Sequence, residues 1–169
     1  MTYTSAEAAK LLRKLNDEYD ALLFKEERSR EFHAAVGEDV ESVRPAYDYE
    51  KTQKELDELE DRIRRLKHAI HRFNITHQVP GFDMTIDEML IYIPQLTRRK
   101  NKLAVMKSKL PKERVAERLG TAGNIIDYIH INYDLKKIEA DYEKVSEELT
   151  KAQLSLDTVN GAETFEFEL

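Results

Sequence analysis

The sequence has no cysteine and no tryptophan, and only five glycines and four prolines among 169 residues. Without cysteine there are no disulfides, no thiolate zinc sites and no thiol nucleophile, which agrees with a reducing compartment. No apolar run approaches the roughly 20 residues that a membrane-spanning helix requires. Met1 to Leu12 lacks both a basic start and an apolar stretch, so no secretory signal is expected and a cytoplasmic location is the default. No Gly-rich phosphate loop, nucleophile elbow or His-Glu-x-x-His motif occurs, and catalysis by this chain is not expected. Charge is not scarce: 33 acidic and 27 basic side chains give a net charge of -6, and 36% of residues are charged. With so few breakers, that composition fits long exposed helices better than a thick core.

The dominant pattern runs from Tyr49 to His77, where Tyr49, Thr52, Leu56, Leu59, Ile63, Leu66, Ile70, Phe73 and His77 recur at three and four residue intervals. A strict 3.5-residue period over four heptads predicts a long helix in a left-handed coiled coil. Its first half is acidic and its second basic, which complements the helix dipole. Glu58 with Arg62, Glu60 with Arg64 and Asp61 with Arg65 are favourable i, i+4 pairs. The same order makes a second, antiparallel copy complementary, so a homodimer through this helix is expected.

Thr4 and Glu7 form a capping box opening a first helix with a seam through Ala8, Leu12, Leu15, Tyr19 and Leu22. His33 to Ala46, with Gly37 and Pro45, breaks the period and reads as a mobile loop. Val79-Pro80-Gly81-Phe82 is a turn. Thr85 and Glu88 then repeat the capping box before a seam through Ile86, Met89, Ile93, Leu96, Leu103 and Leu110, with a kink expected at Pro94. Asn124 to Asn132 is rich in β-branched and aromatic residues, and Glu113 to Leu119 is its expected hairpin partner across Gly120 and Gly123, with a short helix the alternative for that segment. The last seam, Leu135, Ile138, Tyr142, Val145, Leu149, Ala152, Leu156 and Val159, is expected to stop at Asn160-Gly161. The tail from Thr164 alternates Phe and Glu, and must dock or fray.

The chain is therefore predicted to be mostly α, a single elongated domain over 1–169. Four long antiparallel amphipathic or coiled-coil helices are expected at about 5–32, 48–77, 85–110 and 133–159, with a small β-hairpin at about 113–132 between the third and fourth.

Ile63 to Thr76 (Ile-Arg-Arg-Leu-Lys-His-Ala-Ile-His-Arg-Phe-Asn-Ile-Thr) and Met84 to Leu103, opened by Thr85-Ile86-Asp87-Glu88, resemble the septicolysin-like family of uncharacterised bacterial helical proteins. A strand-like insert and a final heptad helix with a short tail extend the likeness over most of the chain. The family tail carries an Asn-Trp pair, where this sequence has Asn160-Gly161. The resemblance implies a helical fold and no established reaction, while the family label implies a membrane-active toxin.

Three constellations stand against blander readings. His68 and His71, one turn apart, with His77 further on, have metal-ligand spacing, but Arg and Lys crowd that face, and solvated histidines at a basic helix end fit better. Asp127, Tyr128 and His130 alternate along one strand and do not converge as catalysis requires. Between Pro94 and Gly120 nine basic residues face only Glu113 and Glu117, a local balance of +7 that leaves -13 for the rest. Arg98, Arg99, Lys102, Lys107, Lys109, Lys112 and Arg114 are the candidate interaction surface. That stretch is suited to phosphates, with Tyr92 or Tyr128 to stack on bases, and equally to the acidic last helix at Glu139, Asp141, Glu143, Glu147 and Glu148. Intramolecular pairing is the expectation. The function predicted is a structural or interaction protein that assembles with itself and with a second protein, without catalytic residues, cofactor or metal. The alternative is a nucleic-acid binder using Arg98 to Arg118.

Overall fold

The computed structural model describes residues 1–114 and 127–168. Among them lie helices α1 (Ser5–Ser29), α2 (Val40–Val43), α3 (Tyr49–Thr76), α4 (Ile86–Lys107) and α5 (Leu135–Ala162). The strands are β1 (Thr2–Thr4), β2 (Lys112–Arg114), β3 (Tyr128–His130) and β4 (Thr164–Glu166). The protein is mostly α with two small antiparallel strand pairs, β1 with β4 and β2 with β3. The chain divides into two compact units, Met1–His77 with Thr158–Leu169, and Gln78–Asp157.

In the first unit, the Thr4 hydroxyl accepts from the Glu7 N–H at 3.2 Å and the Glu7 carboxylate accepts from the Thr4 N–H at 2.9 Å, so two donors left over by the first turn of α1 are satisfied together. Asp48 caps α3 by accepting from the Lys51 N–H at 3.0 Å. α1 and α3 run in opposite directions, because Glu26 accepts from Gln53 at 2.8 Å while Tyr19, earlier in α1, donates to Glu60, later in α3, at 2.7 Å. Between them Ala8, Leu15 and Leu66 form a buried cluster with Phe167, flanked by Leu11, Leu12, Leu59, Ile63 and Ile70. Each fully buried leucine contributes roughly 1.5–3 kcal/mol.

The tail docks rather than frays. Tyr3 stands opposite Phe165 in the β1–β4 pair, both rings pack on the buried cluster, and the Phe167 N–H donates to the Met1 carbonyl at 2.9 Å. Phe73 lies 5.1 Å from Phe165, and the Arg65 guanidinium donates to the Glu168 carbonyl at 3.0 Å. Along the α3 seam Leu56, Leu66 and Phe73 are buried, Leu59, Ile63 and Ile70 are half-buried, and Tyr49 is 64% exposed. Along α3, Asp61 pairs with Arg64 and with Arg65 (3.8 Å), while Glu58 pairs with Lys54 (4.0 Å) and Glu60 is taken by Tyr19.

In the second unit, the Val79–Phe82 turn closes with the Phe82 N–H donating to the Val79 carbonyl at 3.1 Å, and Gly81 takes φ of 80°, a conformation costly for other residues. Thr85 and Glu88 form the second capping box. α4 runs on through Pro94, which sits on its exposed side, where solvent can serve the Leu90 carbonyl. α4 and α5 also run in opposite directions: Tyr92 donates to Glu148, and the Tyr133 hydroxyl donates to the Met106 carbonyl at 2.8 Å.

Several expected boundaries move. α1 ends at Ser29, short of Phe32, whose ring instead lies 5.2 Å from the Arg44 guanidinium. The segment 33–46 holds the one-turn helix α2, capped by Asp39. α4 ends at Lys107, so Leu110 is 61% exposed and leaves the seam; Pro111 disfavours a helical residue before it. α5 continues past Asn160-Gly161 to Ala162, because Gly161 keeps a negative φ and Glu163 N–H closes the last turn on the Val159 carbonyl at 3.0 Å. The start of β4, rather than glycine, ends this helix. Of the expected hairpin, Lys112–Arg114 pair antiparallel with Tyr128–His130, while the remainder of Glu113 to Leu119, Gly120, Gly123 and Asn124 to Ile126 lie outside the described residues.

Candidate interaction surface

On α4 the buried positions Ile86, Met89, Leu96 and Leu103 recur at helical spacing. At 100° per residue the opposite side presents Ile91, Arg98, Lys102 and Val105, all exposed. Arg99 lies beside Tyr92, whose hydroxyl is pushed up chiefly by its hydrogen bond to Glu148, then by burial, and eased down by the Arg99 charge. Lys107 ends the helix, with its ammonium 5.1 Å from the centre of the Tyr142 ring, and Lys100 approaches the same ring at 5.9 Å. Two cations therefore sit on the negative face of one half-buried phenol. Lys109 follows the Ser108 cap, and Lys112 and Arg114 stand on β2.

The β2–β3 register sets Lys112 opposite His130, Glu113 opposite Ile129 and Arg114 opposite Tyr128. Side chains alternate along a strand, so Lys112, Arg114, Tyr128 and His130 share one face and Glu113 and Ile129 the other. The Lys112 ammonium lies 4.0 Å from the Tyr128 ring centre, and the Tyr128 and His130 rings are 6.4 Å apart. All six residues are exposed. Asp127 precedes the strand, so Asp127, Tyr128 and His130 form no convergent site.

All seven residues of the candidate surface are thus exposed and belong to the second unit, spread over the outer side of α4, its C-terminal end and one face of the ribbon. The expected pairing with the acidic last helix is absent: among the described residues, no ion pair joins these cations to Glu139, Asp141, Glu143, Glu147 or Glu148, and Glu148 is occupied by Tyr92. Tyr92 is half-buried and bonded, so Tyr128 is the ring left to stack. The sequence did not single out Tyr142 as a cation seat; its place in the seam hid it. Arg118 lies outside the described residues.

The remaining candidates do not converge. His68 and His71 are exposed, while His77 stacks on Phe73 at 3.8 Å and points Nε2 toward Glu163 at 3.7 Å. No group of three or more His, Asp or Glu with metal-holding geometry occurs among the described residues. Tyr47, pushed up to about 12, owes its shift first to its 2.6 Å part-buried hydrogen bond to Glu26, a carboxylate that Gln53 also holds. No described helix is long and apolar enough to cross a membrane.

No protein-family model matches the sequence, and a search of curated proteins finds no match. Among solved structures the chain is similar to the crystal structure of a functionally unknown conserved protein from Corynebacterium diphtheriae. The two share 17% identity and a TM-score of 0.65, over 98% of this chain and 100% of that one. At that identity the likeness is one of fold.

Proposed function

We propose that this is a helical interaction protein without catalytic activity of its own, which docks an acidic partner through the basic surface of its second unit and also assembles with itself. The observation that carries the reading is the set of cations at 98–114: eight basic residues against Glu113 alone, without ion-pair partners among the described residues. Charges kept in water contribute little to the fold, so so dense an array of them points to an external partner. The seam residues support coiled-coil packing of the long helices, and the motif resemblance supports placing the chain with the septicolysin-like proteins, which supplies no reaction.

Self-assembly draws support from apolar side chains left on the outer side of α4, Ile91 at 58% and Val105 at 61% exposure, and from the half-buried stretches of the α3 seam. Sedimentation equilibrium at tens of micromolar protein tests it, and a single species at the 19.8 kDa monomer mass removes self-assembly from the reading. Docking is tested by titrating labelled poly-glutamate and oligonucleotides into the protein at low salt. Saturable binding to either, lost in Arg98→Glu with Lys102→Glu, is expected; binding to neither would overturn it.

A further inference from the structure

The ribbon formed by β2 and β3 exposes all six of its described side chains. An isolated two-stranded pair is marginal in water, and stabilises itself through apolar or aromatic cross-strand partners. Here one face instead interleaves two cations with two aromatic rings: Lys112 and Arg114 on β2, Tyr128 and His130 on β3. Two residues along a strand span about 6.6 Å, close to the separation of successive phosphates on an extended strand, so Lys112 and Arg114 are spaced to meet neighbouring phosphates. A ring beside each cation can receive a base.

We propose that the acidic partner is single-stranded nucleic acid, held with its phosphates on Lys112, Arg114 and the lysines ending α4 and with a base stacked on Tyr128. The inference rests on reading the basic surface as a docking surface. Residue chemistry separates this partner from an acidic protein. Five of the eight cations at 98–114 are lysines, a residue depleted in protein–protein interfaces and suited, as a compact charge, to phosphate. The ribbon's apolar residue, Ile129, lies on the other face, so the cationic face offers no apolar centre for a protein to bury. The ring that stacks carries its own counter-charge: Lys112 already sits over Tyr128, and a base arriving there brings its phosphate within reach of that ammonium.

The test uses the full chain, with fluorescence anisotropy of labelled oligo-uridine and oligo-thymidine of about 20 nucleotides across a salt series, and labelled poly-glutamate as the control anion. Four to five phosphate contacts on a single strand give a slope of log affinity against log salt near -3, roughly a hundredfold loss between 50 and 200 mM. Lys112→Glu with Arg114→Glu is expected to flatten that slope by about 1.4 and to weaken binding at least tenfold. Tyr128→Ala is expected to weaken it about tenfold, while Tyr128→Phe, which keeps the ring, leaves it within twofold. Because these side chains are exposed, the variants should melt with the parent, and a melt confirms that each is folded. Poly-glutamate binding without oligonucleotide binding overturns the nucleic-acid inference and leaves the docking surface standing. Binding of neither overturns both. Oligonucleotide binding untouched by the Lys112, Arg114 and Tyr128 substitutions removes the ribbon from the site.

Discussion

The two strand pairs have the same length and the same antiparallel sense, yet β1–β4 lays two half-buried aromatic rings on a core while β2–β3 exposes every one of its residues. In the first, Tyr3 and Phe165 stand opposite each other and press on Leu66, Leu15 and Ala8. In the second, the middle pair is Glu113 with Ile129 and the outer pairs are Lys112 with His130 and Arg114 with Tyr128, and none of them meets a core. Hydrogen-bonded geometry is therefore not what separates them. The side chains on one face decide whether a strand pair closes a core or reaches into solvent, and an exposed cationic face has little to contribute to stability.

The strongest way to break this comparison is to charge the core that β1–β4 closes. Leu66→Asp buries a carboxylate without a partner and is expected to cost about 4 kcal/mol or more; a melting temperature within two degrees of the parent by circular dichroism would show that the cluster is not closed. Next in size, Phe165→Ala with Phe167→Ala should cost about 3 kcal/mol in urea unfolding, whereas Ile129→Ala on β3 should stay within about 0.5 kcal/mol. Equal losses from the two pairs would erase the distinction.

The caps sharpen it further, since both units open a long helix with the same box. Thr4→Ala and Thr85→Ala should each cost about 1 kcal/mol. Glu7 and Glu88 are held below the ordinary glutamate range, chiefly by the backbone N–H of their threonines and then by the hydroxyls. A depressed folded value means the contribution is complete above the unfolded glutamate value, about 4.3, and is lost as pH falls through the folded value. Melts from pH 6 to pH 2 should decline less steeply once both glutamates are replaced by Gln. The smallest effect is expected from Arg98→Glu with Lys102→Glu, within about 0.5 kcal/mol, since no acid on α5 pairs with either; a larger loss would restore the internal pairing that the sequence suggests.

Much of the fold was legible in residue patterns because local physics wrote it. Thr4 with Glu7, Thr85 with Glu88 and the Pro80-Gly81 turn are settled within four residues of chain, and each forms as its chemistry dictates. The α3 seam was equally plain, but periodicity states that a stripe is buried and not by what. Leu66 meets Ala8, Leu15 and Phe167 from its own chain, and that long-range choice is invisible in a heptad count. The same gap misled the reading of the cations. Glu139 to Glu148 and Arg98 to Lys107 are complementary on paper, yet Glu148 takes Tyr92, and Tyr142 attracts Lys100 and Lys107 through its ring. Gly161 erred for another reason: glycine permits a helix to stop without requiring it.

The β1–β4 pair has a consequence for how the chain comes off the ribosome. Thr4 and Thr164 are register partners, so a loop of about 160 residues must close before the rings of Tyr3 and Phe165 meet, an entropy cost on the order of 4–5 kcal/mol if the intervening chain were slack. Translation delivers β1 well before β4, and in the interval the apolar side of α1 and α3 waits without its lid. Helices grow in microseconds, whereas synthesis proceeds at roughly 5–20 residues per second, so the wait lasts several seconds per molecule. During that time the half-finished unit carries uncovered the apolar side chains that Phe165 and Phe167 later meet.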